Sequence, residues 1–321
     1  MYFNDIEYKK QNTKIGIIML IFFGASSIVS IALGILQVVG EIFTDSIAYE
    51  VAYELAYSAL YFCMFFIPML FYKKFDREYK FSQMPCKFKF SRHFPLILLA
   101  GLAINYAAAY VNSIIVAILG IDMSSLMLVD YPNGYHAYHF VLDTIKIAII
   151  PAFCEEFLFR GLILDRLSRF GRAKAIFISA LLFALMHQNI GQILYTFILG
   201  LVLGYIVVES GSIWGAIVLH FVNNFTQVIM NAVTYTEHEA RANFIIAAIE
   251  LVIVVIGAAA AIYYYFRHGR KNLNDPEWLF YTENELSRGT AVKGFFRPTM
   301  IIFIALSVAS MVAMAVMMLF L

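Results

Sequence analysis

Long apolar runs separated by short polar stretches organise the chain. Nine runs stand out, at residues 15–40, 51–72, 94–119, 140–164, 175–187, 190–208, 213–233, 244–266 and 298–321. A helix needs about 20 apolar residues to cross a hydrocarbon core about 30 Å thick, and most of the runs reach that length. The fifth is short and runs closely into the sixth. No ten-residue segments of alternating hydrophobicity occur, which argues against a β-barrel. The pattern predicts an all-α, polytopic transmembrane helix bundle of about nine spans, with eight as the alternative. Residues 1–321 read as a single membrane domain, without a separate soluble part or an internal repeat. The first run is too long for a signal-peptide core and is read as a retained span.

Composition narrows the class. Of the 321 residues 62% are apolar and only 14% are charged, against about 45–50% and 25% in soluble proteins. A soluble globule, a disordered chain and an ordinary nucleic-acid binder are all excluded. The net charge of +1 is uninformative, but its distribution is not. Three Lys and Arg precede the first run, seven lie between 73 and 92, five between 160 and 174, and six between 267 and 297. Together these are 21 of the 23 basic residues, all on one side of a nine-span arrangement. Only Lys146 and Arg241 fall outside it. Positive charge marks the cytoplasmic side, so the amino terminus is expected to be cytoplasmic. The connector at 267–297 reads as a plain inner loop. Three cysteines, Cys63, Cys86 and Cys154, give no disulfide framework.

Charges within spans are costly, about 2.5–3.5 kcal/mol each on insertion scales. Glu54, Asp143, Lys146 and Glu250 sit near span ends, where snorkelling or local pairing, as of Asp143 with Lys146, accounts for them. Gly200 and Gly204 read as a small-xxx-small packing pair. Three segments resist such readings. In the fourth run Glu155 and Glu156 are adjacent, and Glu156 shares a helical face with Arg160 four residues on. Pro151 removes a backbone donor four residues before Glu155. The fifth run places Phe183 and His187 on one face, and the seventh does the same with His220 and Asn224. At about 1.5 Å per residue, Glu155, His187, His220 and Asn224 lie about 11–18 Å from the inner ends of their spans. A carboxylate, two imidazoles and an amide at one level form a candidate active site. A zinc site of Glu155, His187 and His220 is a rival arrangement, although no H-E-x-x-H motif is present. A proton relay in a transporter and a non-catalytic bacteriocin-immunity scaffold are the readings from other classes.

The run from Glu155 to Gly161 resembles the E-E-x-x-x-R motif of the CPBP family, the CAAX proteases and bacteriocin-processing intramembrane proteins. Phe183 to His187 is similar to that family's F-x-x-x-H, and His220 to Asn224 to its H-x-x-x-N. The resemblance covers residues 140–233, spans four to seven, as a motif-bearing catalytic core. It implies an intramembrane glutamic endopeptidase, related to the Ras-converting prenyl-protein endopeptidase. Glu155 and His187 would activate a water, His220 and Asn224 would stabilise the oxyanion, and Glu156 and Arg160 would support them. An amide and an imidazole N–H suit the oxyanion role, where one lost donor costs about 10²–10³ in rate. No cofactor, resident metal or nucleic acid is expected. The expected partners are the lipid bilayer and a membrane-associated protein or peptide substrate, in a bacterial plasma membrane. Water is expected to enter from the cytoplasmic side, towards which Arg160 points.

Overall fold

The computed structural model describes residues 2–43, 47–120, 135–235, 239–269, 282, 284–287 and 289–320. The aromatic part of the 267–297 connector and most of the loop at 120–138 lie outside these. Every described element is helical. α1 (Tyr2–Phe43), α2 (Ile47–Phe75) and α3 (Phe94–Ile118) come first. α4 is one continuous run over 137–168, built of α-helical Ala137–Asp143, π-helical Thr144–Ile149, α-helical Ile150–Glu156, π-helical Phe157–Leu164 and α-helical Asp165–Ser168. α5 (Arg172–Met186), α6 (Ile193–Ser210), α7 (Trp214–Thr234) and α8 (Glu239–Tyr264) follow, then the short α9 (Thr290–Phe295) and the long α10 (Pro298–Phe320).

Each of the nine apolar runs has thus become a helix. Among the described residues, seven are long and apolar enough to cross a membrane: α1, α2, α3, α6, α7, α8 and α10. The other two depart for identifiable reasons. α4 is interrupted by wide turns and carries most of the intramembrane charge, and α5 has only 15 residues. Large apolar side chains face outwards along α1 and α8, among them Ile28, Ile31, Ile35, Phe244, Leu251 and Val255. A backbone satisfied within helices and an apolar exterior are what lipid demands. The protein is an integral membrane helix bundle.

Punctuation is local. Gly171, at φ 128°, separates α4 from α5, and Gly211, at φ 68°, ends α6 in the left-handed conformation that a side chain resists. Gly200 and Gly204 set the contact between α5 and α6. A Cβ on Gly200 would sit 2.9 Å from the Ala180 backbone, and one on Gly204 would sit 3.1 Å from the Ile176 side chain. Small residues here let the two backbones approach.

The basic stretches meet at one end of the bundle. Asp76, just after α2, takes an ion pair from Lys14 of α1 at 3.0 Å and another from Arg166 of α4 at 3.6 Å. Arg169 pairs with Glu7 at 3.3 Å, and its carbonyl accepts the Asn284 N–H. Ser287 bonds Asp5 through its N–H at 2.9 Å and also through its hydroxyl. Burial opposes ionisation of Asp76, but Lys14, Gln11 and Arg166 outweigh it and hold its carboxyl below the usual 3.8. This end is the basic face. Away from it, Lys146 lies 2.8 Å from Glu54 and 3.4 Å from Asp143, and Glu250 accepts the Tyr110 hydroxyl at 2.8 Å. Local pairing therefore explains all four span-end charges.

Candidate active site

Pro151 and the two π-helical turns shape the middle of α4. In a regular α-helix the Ile147 carbonyl would take the N–H of residue 151, which proline lacks. Asn224 of α7 fills the gap, its Nδ2 donating to the Ile147 oxygen at 3.0 Å. In the second π-helical turn Ser179 of α5 donates to the Phe159 carbonyl at 2.9 Å. Each wide turn is thus pinned by a side chain from a neighbouring helix. Glu155 and Glu156 lie between the two, at the end of an α-helical segment.

Both glutamates are buried, Glu155 at 3% exposure and Glu156 at 0%. They have different partners. One oxygen of Glu156 receives Arg160 Nη1 at 2.8 Å and His220 Nδ1 at 2.9 Å. Arg160, fully buried, also donates to the Gly200 carbonyl at 3.2 Å and lies 4.3 Å over the Phe183 ring. The guanidinium is consequently locked inside the bundle. Glu155 has no Lys or Arg at bonding distance among the described residues. Its Oε1 accepts the Tyr61 hydroxyl of α2. Its Oε2 is buried with no hydrogen-bond partner among the described residues and lies 3.8 Å from His220 Nε2.

Phe183 organises the histidines. Its ring packs edge-on against His187 at 5.0 Å and against His220 at 5.8 Å. His187, just past the end of α5, places Nδ1 2.8 Å from the Phe183 carbonyl. A carbonyl only accepts, so Nδ1 carries a proton and Nε2 remains for other chemistry. His187 and Glu155 share the wall of a cavity of about 470 Å³. Tyr57 and Tyr61 of α2, Ser26 and Ser30 of α1, and Gln188 line it too.

The structure therefore joins Glu155, Glu156, Arg160, His187 and His220 in one cluster. Asn224 sits at its edge, with one amide N–H on Ile147 and its oxygen accepting Asn223 Nδ2 at 3.0 Å. Among the described residues no three His, Cys, Asp or Glu side chains converge as metal ligands would. Sequence reasoning missed Tyr61. A signal was present in the tyrosines at 49, 53, 57 and 61, four apart along one face of α2. Arg160 is sealed inside the bundle and is not among the residues that line this cavity with Glu155.

Comparison with known proteins bears on this cluster. Residues 137–226 match the Rce1-like family, described as type II CAAX prenyl endopeptidase Rce1-like. Over those residues the chain is similar to a family of CAAX proteases. That stretch runs from the start of α4 into α7 and holds all six candidate site residues. No curated protein and no solved structure matches the chain.

Proposed function

We propose that the protein is an intramembrane endopeptidase that hydrolyses membrane-associated proteins or peptides with a water activated by Glu155 and His187. One observation carries this reading. Glu155 has one oxygen held by Tyr61 and the other buried, without a hydrogen-bond partner among the described residues, beside His220, while His187 and Glu155 line the same cavity. A carboxylate oxygen with no bonded partner can accept a proton from a water brought to it. Nε2 of His187 is the second base or acid at that water. As the tetrahedral intermediate forms, negative charge gathers on the former carbonyl oxygen. The second amide N–H of Asn224 and, with a proton on both nitrogens of His220, its Nε2–H are the donors assigned to it. Glu156 and Arg160 touch no substrate in this scheme and hold His220 through its Nδ1.

The test is cleavage by the purified, reconstituted protein, together with membrane proteomes of cells carrying wild type or Glu155→Ala. A product that requires both Glu155 and His187 is expected, and Cys154→Ala should still form it. Cleavage persisting in purified Glu155→Ala would sink the assignment.

A further inference from the structure

The cavity lies away from the basic face. Its α1 walls, from Phe22 to Leu33, begin eight residues past Lys14 and end 19 past it, about 12–28 Å along the helix. Its α2 walls, Tyr57 to Phe65, stand 11 to 19 residues from Asp76, about 16–28 Å by the same rise. α5 contributes only its far end, with Met186, His187 and Gln188.

α5 is also too short to cross. Fifteen residues span about 22 Å, whereas the hydrocarbon core is about 30 Å. Starting at the basic face, the helix stops inside the membrane, and the chain turns back over 187–192 into α6. That turn is polar: Asn189 Oδ1 takes the Gly191 N–H at 2.9 Å, and Asn112 of α3 reaches the Gly191 carbonyl. Gln188 holds a left-handed φ of 51°. Non-helical backbone at membrane depth is tolerated only inside protein or beside a water-filled cavity, and here the cavity begins at His187 and Gln188.

We infer that water and substrate reach Glu155 from the face opposite the basic loops, through the opening between α1, α2 and the α5–α6 turn. With positive charge on the cytoplasmic side, that route is extracytoplasmic. The substrate is then a membrane-associated peptide presented on the outer side. Phe22, Leu33, Met64, Phe65 and Met186 give the route an apolar wall, and its lining contains no lysine or arginine among the described residues. The scissile bond is therefore flanked by uncharged, apolar side chains. This inference rests on the endopeptidase reading for its substrate and on the charge asymmetry for its side.

Single cysteines at Ser26→Cys and Ser30→Cys, in a chain with Cys63→Ser, Cys86→Ser and Cys154→Ala, test it directly. Lys89→Cys on the basic face is the reference. A permanently charged methanethiosulfonate added to intact cells is expected to label both cavity positions and to leave Lys89→Cys untouched. Inside-out vesicles should give the reverse pattern. Cavity cysteines that react only from the side of Lys89→Cys, or from neither side, overturn the proposal. Failure of the wild type to cleave any peptide would instead overturn the endopeptidase reading and leave the labelling pattern standing.

Discussion

Asn224 Nδ2 donates to the Ile147 carbonyl at 3.0 Å, the acceptor that Pro151 leaves without its helical partner. One residue of the candidate oxyanion pair is therefore also a structural clasp between α7 and α4. Hydrogen bonds between membrane helices are worth about 0.6 kcal/mol on average and up to about 1.7. Asn224→Ala is expected to lose stability in that range in a detergent unfolding assay. Pro151→Ala returns an N–H to Ile147, so the double variant should recover most of the loss without recovering cleavage. Additive losses in the double-mutant cycle would show that the two residues act separately.

Tyr61 holds Glu155 by one oxygen and leaves the other for chemistry. Tyr61→Phe keeps the ring and its packing and removes only the hydroxyl. The expected outcome is a fall in kcat of about 10-fold, equivalent to about 1.4 kcal/mol, with KM nearly unchanged, because the lost contact acts on the base and not on substrate binding. Tyr110→Phe deletes a similar phenol–glutamate bond elsewhere and should leave kcat alone. A change confined to KM would mean that Tyr61 is only a wall of the cavity.

Glu156 and Arg160 form a fully buried ion pair at 2.8 Å. Removing one partner of such a pair costs about 3–5 kcal/mol, whereas replacing both is often neutral. Arg160→Met should be strongly destabilised, and Glu156→Gln combined with Arg160→Met should unfold closer to wild type. The carboxamide oxygen that Glu156→Gln leaves in place can still accept a hydrogen bond from His220 Nδ1. The double variant therefore also asks whether a charge is needed behind His220. Equal instability of the single and double variants would contradict this account.

The clasp at the basic face has a pH signature. Asp76 is held below its usual 3.8 by Lys14, Gln11 and Arg166 against the opposing effect of burial. A depressed folded-state value stabilises the fold above the unfolded value, and that contribution disappears as pH falls through the folded one. Melting temperature should therefore drop below a pH of about 4 in the wild type. Asp76→Asn should melt lower at neutral pH and lose less on acidification. Parallel pH curves for the two proteins would remove Asp76 from the explanation.

Hydrophobic runs alone were sufficient to locate nine helices, and the glycines at 200 and 204 announced the close α5–α6 contact. The pairing of Asp143 with Lys146 was also legible, because both partners lie on one helix. Glu54 as the second partner of Lys146 was not, since that contact spans 92 positions and depends on how α2 leans on α4. The bond from Tyr61 to Glu155 has the same origin. His220 illustrates a different limit: its spacing to Asn224 suggested a shared task, but their hydrogen bonds diverge, one to Glu156 and the other to Ile147. Arg160 shows a further limit, because in a sequence it looks like a charge pointing towards water. In the fold, Glu156, Gly200 and Phe183 hold it inside the bundle.

The wide turns of α4 also set the rotational phase of the site. Lys146 and Glu155 are nine residues apart, and an unbroken α-helix, at about 100° per residue, would aim them at opposite faces. Both nevertheless reach α2, one at Glu54 and the other at Tyr61. A wide turn behaves as an inserted residue that the helix has absorbed. Straightening 144–149 into an ordinary α-helix with every residue kept would swing Glu155 away from Tyr61 by about 100°, whereas deleting one residue along with the wide turn would leave Glu155 in phase. The winding of that half-dozen residues, and not the motifs alone, thus decides whether the reactive carboxylate meets its tyrosine.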